Sequence, residues 1–185
     1  MSRINGLTLI PDFVTVEEAA QIIKDIDASP WMDSLKRRVQ HYGYLYDYKR
    51  RTVDASLYLG NLPPWAQQLA TRVHQAGYIG LPPDQVIVNE YEPGQGIAKH
   101  VDCEPCFGDT ILSLSLGSGC VMEFHQDDHK IPIWLAPRAL LVMQHEARYE
   151  WQHGIPARKS DVWAEQRHPR SRRVSVTLRK VILSE

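Results

Sequence analysis

Three cysteines in 185 residues are too few, and odd in number, for the disulfide framework of a small secreted protein. They predict thiols in a reducing compartment and no staples. No run of about 18 apolar residues exists, which argues against a membrane-spanning helix. The opening stretch Met1–Gly6 also lacks the basic start and apolar run of a secretory signal. The expected location is cytoplasmic, with no membrane partner and no obligate protein partner evident. Neither charge is in excess: 21 Lys and Arg stand against 22 Asp and Glu, so bulk charge specifies no partner. No internal repeat, low-complexity tract or linker interrupts the chain, and its length fits one domain, since domains cluster near about 100 to 150 residues.

What the chain has is segregation. Asp84 to Asp128 holds nine acidic residues and a single basic one, Lys99. Lys36, Arg37, Arg38, Lys49, Arg50 and Arg51 cluster before it, and eight Lys and Arg between Arg158 and Lys180 cluster after it. Secondary-structure signals divide along the chain too. Thr15 with Glu18 forms a capping box, and Ala19, Ile22, Ile23 and Ile26 follow at helical spacing, predicting a helix over about 16–27. Pro63 and Pro64 open a second helix, with Leu62, Ala66, Leu69 and Val73 on one stripe, ending near Gly77. After residue 80 come short β-rich runs, Val86–Tyr91, Thr110–Leu116, Val121–Phe124, Ile131–Leu135, Ala139–Met143 and Val174–Ile182, separated by Gly, Pro or charged turns. The reading is an α+β chain, mainly β. A jelly-roll sandwich or barrel occupies 81–185, with the helices of 1–80 packed on it, in a single domain of 1–185.

Between the helices, residues 37–51 alternate Tyr42, Tyr44, Tyr46 and Tyr48 with other residues as in a strand, and carry basic groups at both ends. Two readings stand: a sheet edge with solvated charges, or a nucleic-acid surface where phosphates meet Lys and Arg and a base stacks on Tyr.

His100 and Asp102 face the same way on an extended segment and can share one metal ion. With eight His in the chain, chance alone supplies about half such an H-x-D motif, and His125-Gln126-Asp127 is a rival. The rival lies in the polar stretch Gln126–Lys130, which reads as an exposed hairpin turn. His100 instead follows a strand and the turn Glu92–Gly96, and His153 follows another aromatic segment. Two His and one carboxylate make a facial triad with open positions for Fe(II); Mn, Ni or Zn accept the same ligands. Near the C-terminus, Arg173-Val174-Ser175-Val176-Thr177-Leu178-Arg179 alternates polar and apolar residues, so both arginines share one face. Their Cα atoms stand about 20 Å apart, and their side chains can converge on the two ends of a dicarboxylic acid. The alternative is a strand with exposed basic residues.

Taken in order, these residues resemble the AlkB-like Fe(II)- and 2-oxoglutarate-dependent dioxygenases. Asn89 to Asp102 is similar to the family's N-x-Y-x-P-G stretch leading to H-x-D, and Ile111–Gly117 to its S-x-S-L-G strand. Ala147–Ile155 resembles the segment with the distal His, and Arg173 to Arg179 the closing R-x5-R. The resemblance implies a double-stranded β-helix and the cofactors Fe(II), 2-oxoglutarate and O2. It implies iron on His100, Asp102 and His153, which are also the catalytic residues. It implies 2-oxoglutarate on Asn89, Tyr91, Arg173, Ser175 and Arg179, Ser175 standing where the bacterial member has Asn. The implied reaction converts the keto acid to succinate and CO2 and hydroxylates a substrate C–H bond, releasing formaldehyde where the carbon is an N-methyl group. The protein's part is to position that carbon and exclude water.

The resemblance extends to Gly43-Tyr44-Leu45-Tyr46, similar to the base-contacting strand of the nucleic-acid dealkylases. Tyr44 and Tyr46 are then stacking candidates, and Arg37 and Arg38 candidates for the backbone. Glu104, at a position acidic in the bacterial relative, is a partner for a cationic methylated base. The implied function is repair: oxidative dealkylation of N-alkylated bases in single- or double-stranded DNA or RNA, the base flipped or unpaired to reach the site. Residues 91–97, 113–118 and 148–159 look closest to the branch that includes the tRNA wobble-uridine hydroxylase of animals, whose RNA-binding and methyltransferase domains do not fit in 185 residues. A hydroxylase of a modified tRNA base or of a protein side chain is therefore the second reading. A third, from another class, is a non-catalytic jelly-roll binding protein whose His and Arg are incidental. Cys103-Glu104-Pro105-Cys106 reads as free thiols near the site mouth. Half a zinc site would lack its partner, Cys120 being the one other cysteine, and no strand-then-helix context supports a thioredoxin-like pair.

Overall fold

A computed structural model describes residues 4–33 and 35–183. In chain order they form β1 (Leu7–Ile10), α1 (Val16–Asp27), β2 (Val39–Tyr42), α2 (Pro64–Gln75), β3 (Gln85–Tyr91), β4 (Ile97–His100), β5 (Phe107–Gly117), β6 (Cys120–Gln126) and β7 (His129–Leu135). There follow β8 (Leu140–Met143), α3 (His145–Tyr149), β9 (Gln152–Ile155), β10 (Ser160–Trp163), β11 (Gln166–Pro169) and β12 (Arg173–Val181). A six-stranded sheet, β1-β8-β5-β12-β3-β2, faces a four-stranded one, β4-β9-β6-β7, and every pairing is antiparallel. This is the double-stranded β-helix implied by the resemblance.

The period-two alternation of the strands builds two layers of core. Even-numbered residues of the central strands, among them Val86, Val88, Leu112, Leu114, Val174 and Val176, pack under α1 and α2. Odd-numbered residues of β3, β5 and β12 turn toward the smaller sheet and meet Met122, Phe124 and Ile155. The register sets Arg173 opposite Tyr91 and Ser175 between Asn89 and Ser115, so polar side chains cluster on that inner floor.

Both helices begin where the sequence signals lie. Thr15 Oγ1 accepts from the Glu18 N–H at 3.1 Å and the Glu18 carboxylate accepts from the Thr15 N–H at 2.7 Å, closing the capping box. Ala19, Ile22 and Ile26 then face the sheet, each large aliphatic side chain contributing about 1.5 to 3 kcal/mol by burial. Pro64 starts α2, where its missing N–H costs nothing. The segment 1–80 does more than cap the sheet: it supplies both edge strands of the larger one, β1 beside β8 and β2 beside β3.

Two expectations fail here. The alternating stretch 37–51 is a strand only over Val39–Tyr42. Gly43 adopts φ +76, where a Cβ would lie 1.9 Å from the Asp84 carbonyl oxygen, and the chain leaves the sheet there. Asp47 Oδ1 accepts from the N–H groups of Lys49 and Arg50 at 2.9 and 3.0 Å, making a turn that side-chain alternation does not reveal. Cys103 and Cys106 are bonded to each other and are not free thiols. A turn with the Cys106 N–H on the Cys103 carbonyl at 3.3 Å holds their Cα atoms 5.3 Å apart, within bonding reach. Cys120 is free and buried. Among the described residues no helix is long and apolar enough to cross a membrane.

Candidate active site

The pairing of β4 with β9 sets His100 opposite His153, their ring centroids 4.6 Å apart, and Asp102 follows on the loop to β5. One ligand atom from each of the three lies within 4.8 Å of the others. The Ala98 carbonyl sits 2.8 Å from His100 Nδ1 and can only accept, so Nδ1 carries a proton and Nε2 is the ring nitrogen left to face a metal. His153 Nε2 lies 3.6 Å from Asp102 Oδ2, too far for a hydrogen bond.

The charge states suit a cation. Burial pushes the His153 imidazole down to about 4, against the pull of Asp102, so the ring is neutral near pH 7. Burial acts to raise the Asp102 carboxyl, but Arg179, then His153 and His100, outweigh it and hold the group below the usual carboxylate range. Arg179 Nη1 donates to Asp102 Oδ1 at 2.9 Å and its guanidinium lies 4.2 Å from the Phe107 ring centroid.

These groups open onto a cavity of about 390 Å³ between the sheets. On its floor Arg173, 3% exposed, spends one nitrogen on Ser115 Oγ at 2.9 Å and stands 5.4 Å from the Tyr91 ring centroid. Its Nε and Nη1, like Arg179 Nε, are buried without a partner. Buried guanidinium donors left unpaired are costly. A carboxylate ligand would satisfy them, which is the test a keto diacid has to pass. Asn89 Oδ1 accepts from Arg37 Nε at 2.8 Å, leaving the amide NH2 free. Toward the mouth the wall is Tyr46 and Tyr48, edge to face at 4.9 Å, with Arg51, Val101 and Cys103.

The cavity therefore gathers His100, Asp102, His153, Asn89, Tyr91, Arg173, Ser175, Arg179, Arg37 and Tyr46 from the sequence reading. Three candidates lie elsewhere. Tyr44 packs on Tyr58 at 5.1 Å because Gly43 redirects it. Glu104 is exposed on the disulfide turn. Arg38 makes two bonds to Glu90 at 2.8 and 2.9 Å and stacks on Trp31. Arg37 sits beside Asn89 and Tyr91 at the keto-acid end. The rival His125 pairs with Glu123 at 3.3 Å in the β6–β7 hairpin. Sequence reasoning missed Tyr48 as a lining residue, although it shares the spacing of Tyr46, and missed Arg148, whose Nη1 donates to the Asp102 backbone carbonyl at 2.9 Å and for which no local signal exists.

Facing antiparallel sheets that enclose two histidines and a carboxylate beside half-paired arginines define the iron-dependent oxygenases that consume a keto acid. The model of the 2OG-Fe(II) oxygenase superfamily matches residues 6–179. The chain belongs to that superfamily as an AlkB-like dioxygenase, with Fe(II), 2-oxoglutarate and O2 as cofactors. It is 40% identical to the Alkylated DNA repair protein ALKBH8 homolog of Arabidopsis thaliana, over 97% of this chain and 59% of that protein. It is 43% identical to the tRNA (carboxymethyluridine(34)-5-O)-methyltransferase alkbh8 of Xenopus tropicalis, over 85% of this chain but 26% of that protein. Among solved structures, that of OsALKBH1 shares the fold, with a TM-score of 0.74 at 16% identity over 97% of this chain and 98% of the other.

Proposed function

We propose that this protein oxidatively dealkylates N-alkylated bases in DNA or RNA. The observation that carries the reading is that Tyr46, Tyr48 and Arg51 share one cavity with His100, Asp102 and His153. Aromatic faces and a cation beside a metal-ligating group suit a planar base joined to a phosphate chain. The name of the Arabidopsis relative points the same way.

In this reading His100, Asp102 and His153 hold iron. Arg173 takes the distal carboxylate of 2-oxoglutarate, with Asn89, Tyr91, Ser175 and Arg179 around the rest. Bound there, iron and 2-oxoglutarate would, with O2, supply an oxidant for a substrate C–H bond, one atom of O2 ending in the new hydroxyl and the other in succinate, with CO2 released. Arg179 keeps Asp102 ionised and fixes one of its oxygens. Arg37 holds the Asn89 amide so that its N–H groups remain free for a ligand. Tyr46 and Tyr48 give an unpaired base a surface to stack on and keep water from the reacting carbon. A hydroxymethyl group on a ring nitrogen then leaves as formaldehyde, its hydroxyl proton passing to that nitrogen.

Hydroxylation of a modified tRNA base is the second reading, favoured by the 43% identity to the Xenopus tRNA enzyme. Product analysis separates the two. Single-stranded DNA or RNA with 1-methyladenine or 3-methylcytosine is incubated with Fe(II), 2-oxoglutarate and O2, and succinate and formaldehyde are followed together by mass spectrometry. Formaldehyde equal to succinate, lost in His153→Ala, is the expected result. Oxygen retained on a tRNA base without formaldehyde selects the second reading, and no succinate with any nucleic acid overturns both.

A further inference from the structure

A second cavity, of about 740 Å³, adjoins the first, and Arg37, Ile97, Ala98, Lys99 and Ile155 wall both. Its position follows from strand alternation. Phe124 is fully buried and pairs with His153, so its neighbours Glu123 and His125 turn to the opposite, outward face of β6. There they line the second cavity together with Gly154. Gly94, Gly96, Ala98 and Ala157 line it too, so much of its surface is backbone.

Its electrostatics are one-sided. Lys36, Arg37 and Lys99 line it, against a single carboxylate, Glu123. That carboxylate is engaged by His125 Nε2 at 3.3 Å, Lys130 Nζ at 3.5 Å and Arg158 Nη1 at 3.8 Å. Lys99 is also the one basic residue in the acidic stretch from Asp84 to Asp128. In a stretch that otherwise repels phosphate, the exception falls where the two cavities meet.

We propose that this groove carries the single-stranded polynucleotide flanking the reacting base, with Lys36 and Lys99 taking its phosphates. The inference rests on the dealkylation reading and deepens it by assigning the strand a path. A base in the inner cavity must be unpaired, and the wall shared through Ala98 and Lys99 gives its strand a way into the groove. Phosphates bind lysines without regard to sequence, which suits an enzyme that meets its base in many contexts.

The test is equilibrium binding by fluorescence anisotropy, with the full chain loaded with Mn(II) and 2-oxoglutarate. The probes are an unmodified single strand of roughly 15 nucleotides, near the upper site size of single-strand binders, and a trinucleotide. The longer strand is expected to bind at least about tenfold more tightly at low salt. In Lys36→Ala with Lys99→Ala that advantage collapses, and the salt slope of binding falls by about 1.4, roughly 0.7 for each lost phosphate contact. Equal affinity for both lengths, or an unchanged slope in the double variant, overturns the proposal. So does displacement of the strand by an acidic peptide that binds more tightly. A methylated trinucleotide keeps the two readings apart. Formaldehyde from it without any length preference sinks the groove alone, whereas no formaldehyde from any length sinks the dealkylation reading.

Discussion

Arg179 Nη1 holds one oxygen of Asp102 at 2.9 Å, and the other oxygen of that carboxylate faces His153 Nε2 at 3.6 Å. The arginine thereby selects which oxygen points at the histidines. Both partners are buried and oppositely charged, so the pair brings almost no net charge into the cavity. Removing the guanidinium leaves a buried carboxylate free to rotate and without its principal counter-charge.

Arg179→Met is therefore expected to weaken Mn(II) binding by about 10- to 100-fold, the usual effect of losing a residue that orients a ligand. Arg179→Lys, which keeps the charge but not the planar fork, should lose less. Calorimetric titration of the metal-free protein reads both. Wild-type affinity in Arg179→Met would show that Asp102 needs no orienting partner.

Arg173 has two buried nitrogens without partners, and a ligand carboxylate can relieve both. Adding 2-oxoglutarate to metal-loaded protein without O2 should raise the Tm in a concentration-dependent way. In Arg173→Ala that rise should vanish, and the KM for 2-oxoglutarate should increase by about 10- to 150-fold, the equivalent of roughly 1.5 to 3 kcal/mol for a charge-assisted bond. An unchanged KM would place the distal carboxylate elsewhere.

Much of this site was legible because strands report their faces. The alternation from Arg173 to Arg179 puts both arginines on one side, and both line the cavity, Arg173 opposite Tyr91 and Arg179 opposite Gln85. What failed was local backbone. Tyr44 and Tyr46 look equivalent in an alternating stretch, yet Gly43 turns the chain, so Tyr44 meets Tyr58 while Tyr46 reaches the cavity. The Cys103–Cys106 bond was misread for a similar reason: composition argued for a reducing compartment, whereas a turn sets the two cysteines in bonding reach. Arg148 was invisible because its partners are backbone carbonyls, which no side-chain pattern reports.

Acid sensitivity should include a contribution from His41. Burial, and then the charge of Arg179, push its imidazole down to about 4 from an ordinary value of 6.5. Its Nδ1 faces the Tyr46 N–H at 3.5 Å, as suits a neutral ring. Between those two pH values the unfolded chain binds the proton and the folded one does not, so stability falls as pH drops from about 6.5 toward 4. The contribution is at most about 3 kcal/mol, less after screening by solvent. The urea midpoint of the wild type should fall more between about pH 7.5 and pH 5 than that of His41→Gln. Parallel pH profiles would exclude His41 as a source.

Arg148 is 2% exposed and directs its guanidinium wholly at main chain: Nε to the Gly108 carbonyl at 3.1 Å, Nη1 to Asp102 at 2.9 Å, and Nη2 to Cys103 and Phe107 at 3.3 Å each. One side chain of α3 thus ties down the loop on which Asp102 stands. Burial pulls its pKa below the arginine value, but the charge of Asp102 opposes that shift. Arg148→Met keeps the length and removes every donor, so a loss of about 3 kcal/mol is expected, four backbone carbonyls losing a charged donor. Stability alone does not distinguish a positioning role from a packing one. If Arg148 positions Asp102, the folded fraction of the variant also binds Mn(II) about tenfold more weakly or worse. Amide exchange should accelerate at Cys106 and Phe107, whose N–H groups bond the Cys103 carbonyl at 3.3 Å. Arg148→Lys, which can restore one or two of the bonds, should recover part of both. A variant that is destabilised but binds Mn(II) as the wild type does would reduce Arg148 to packing.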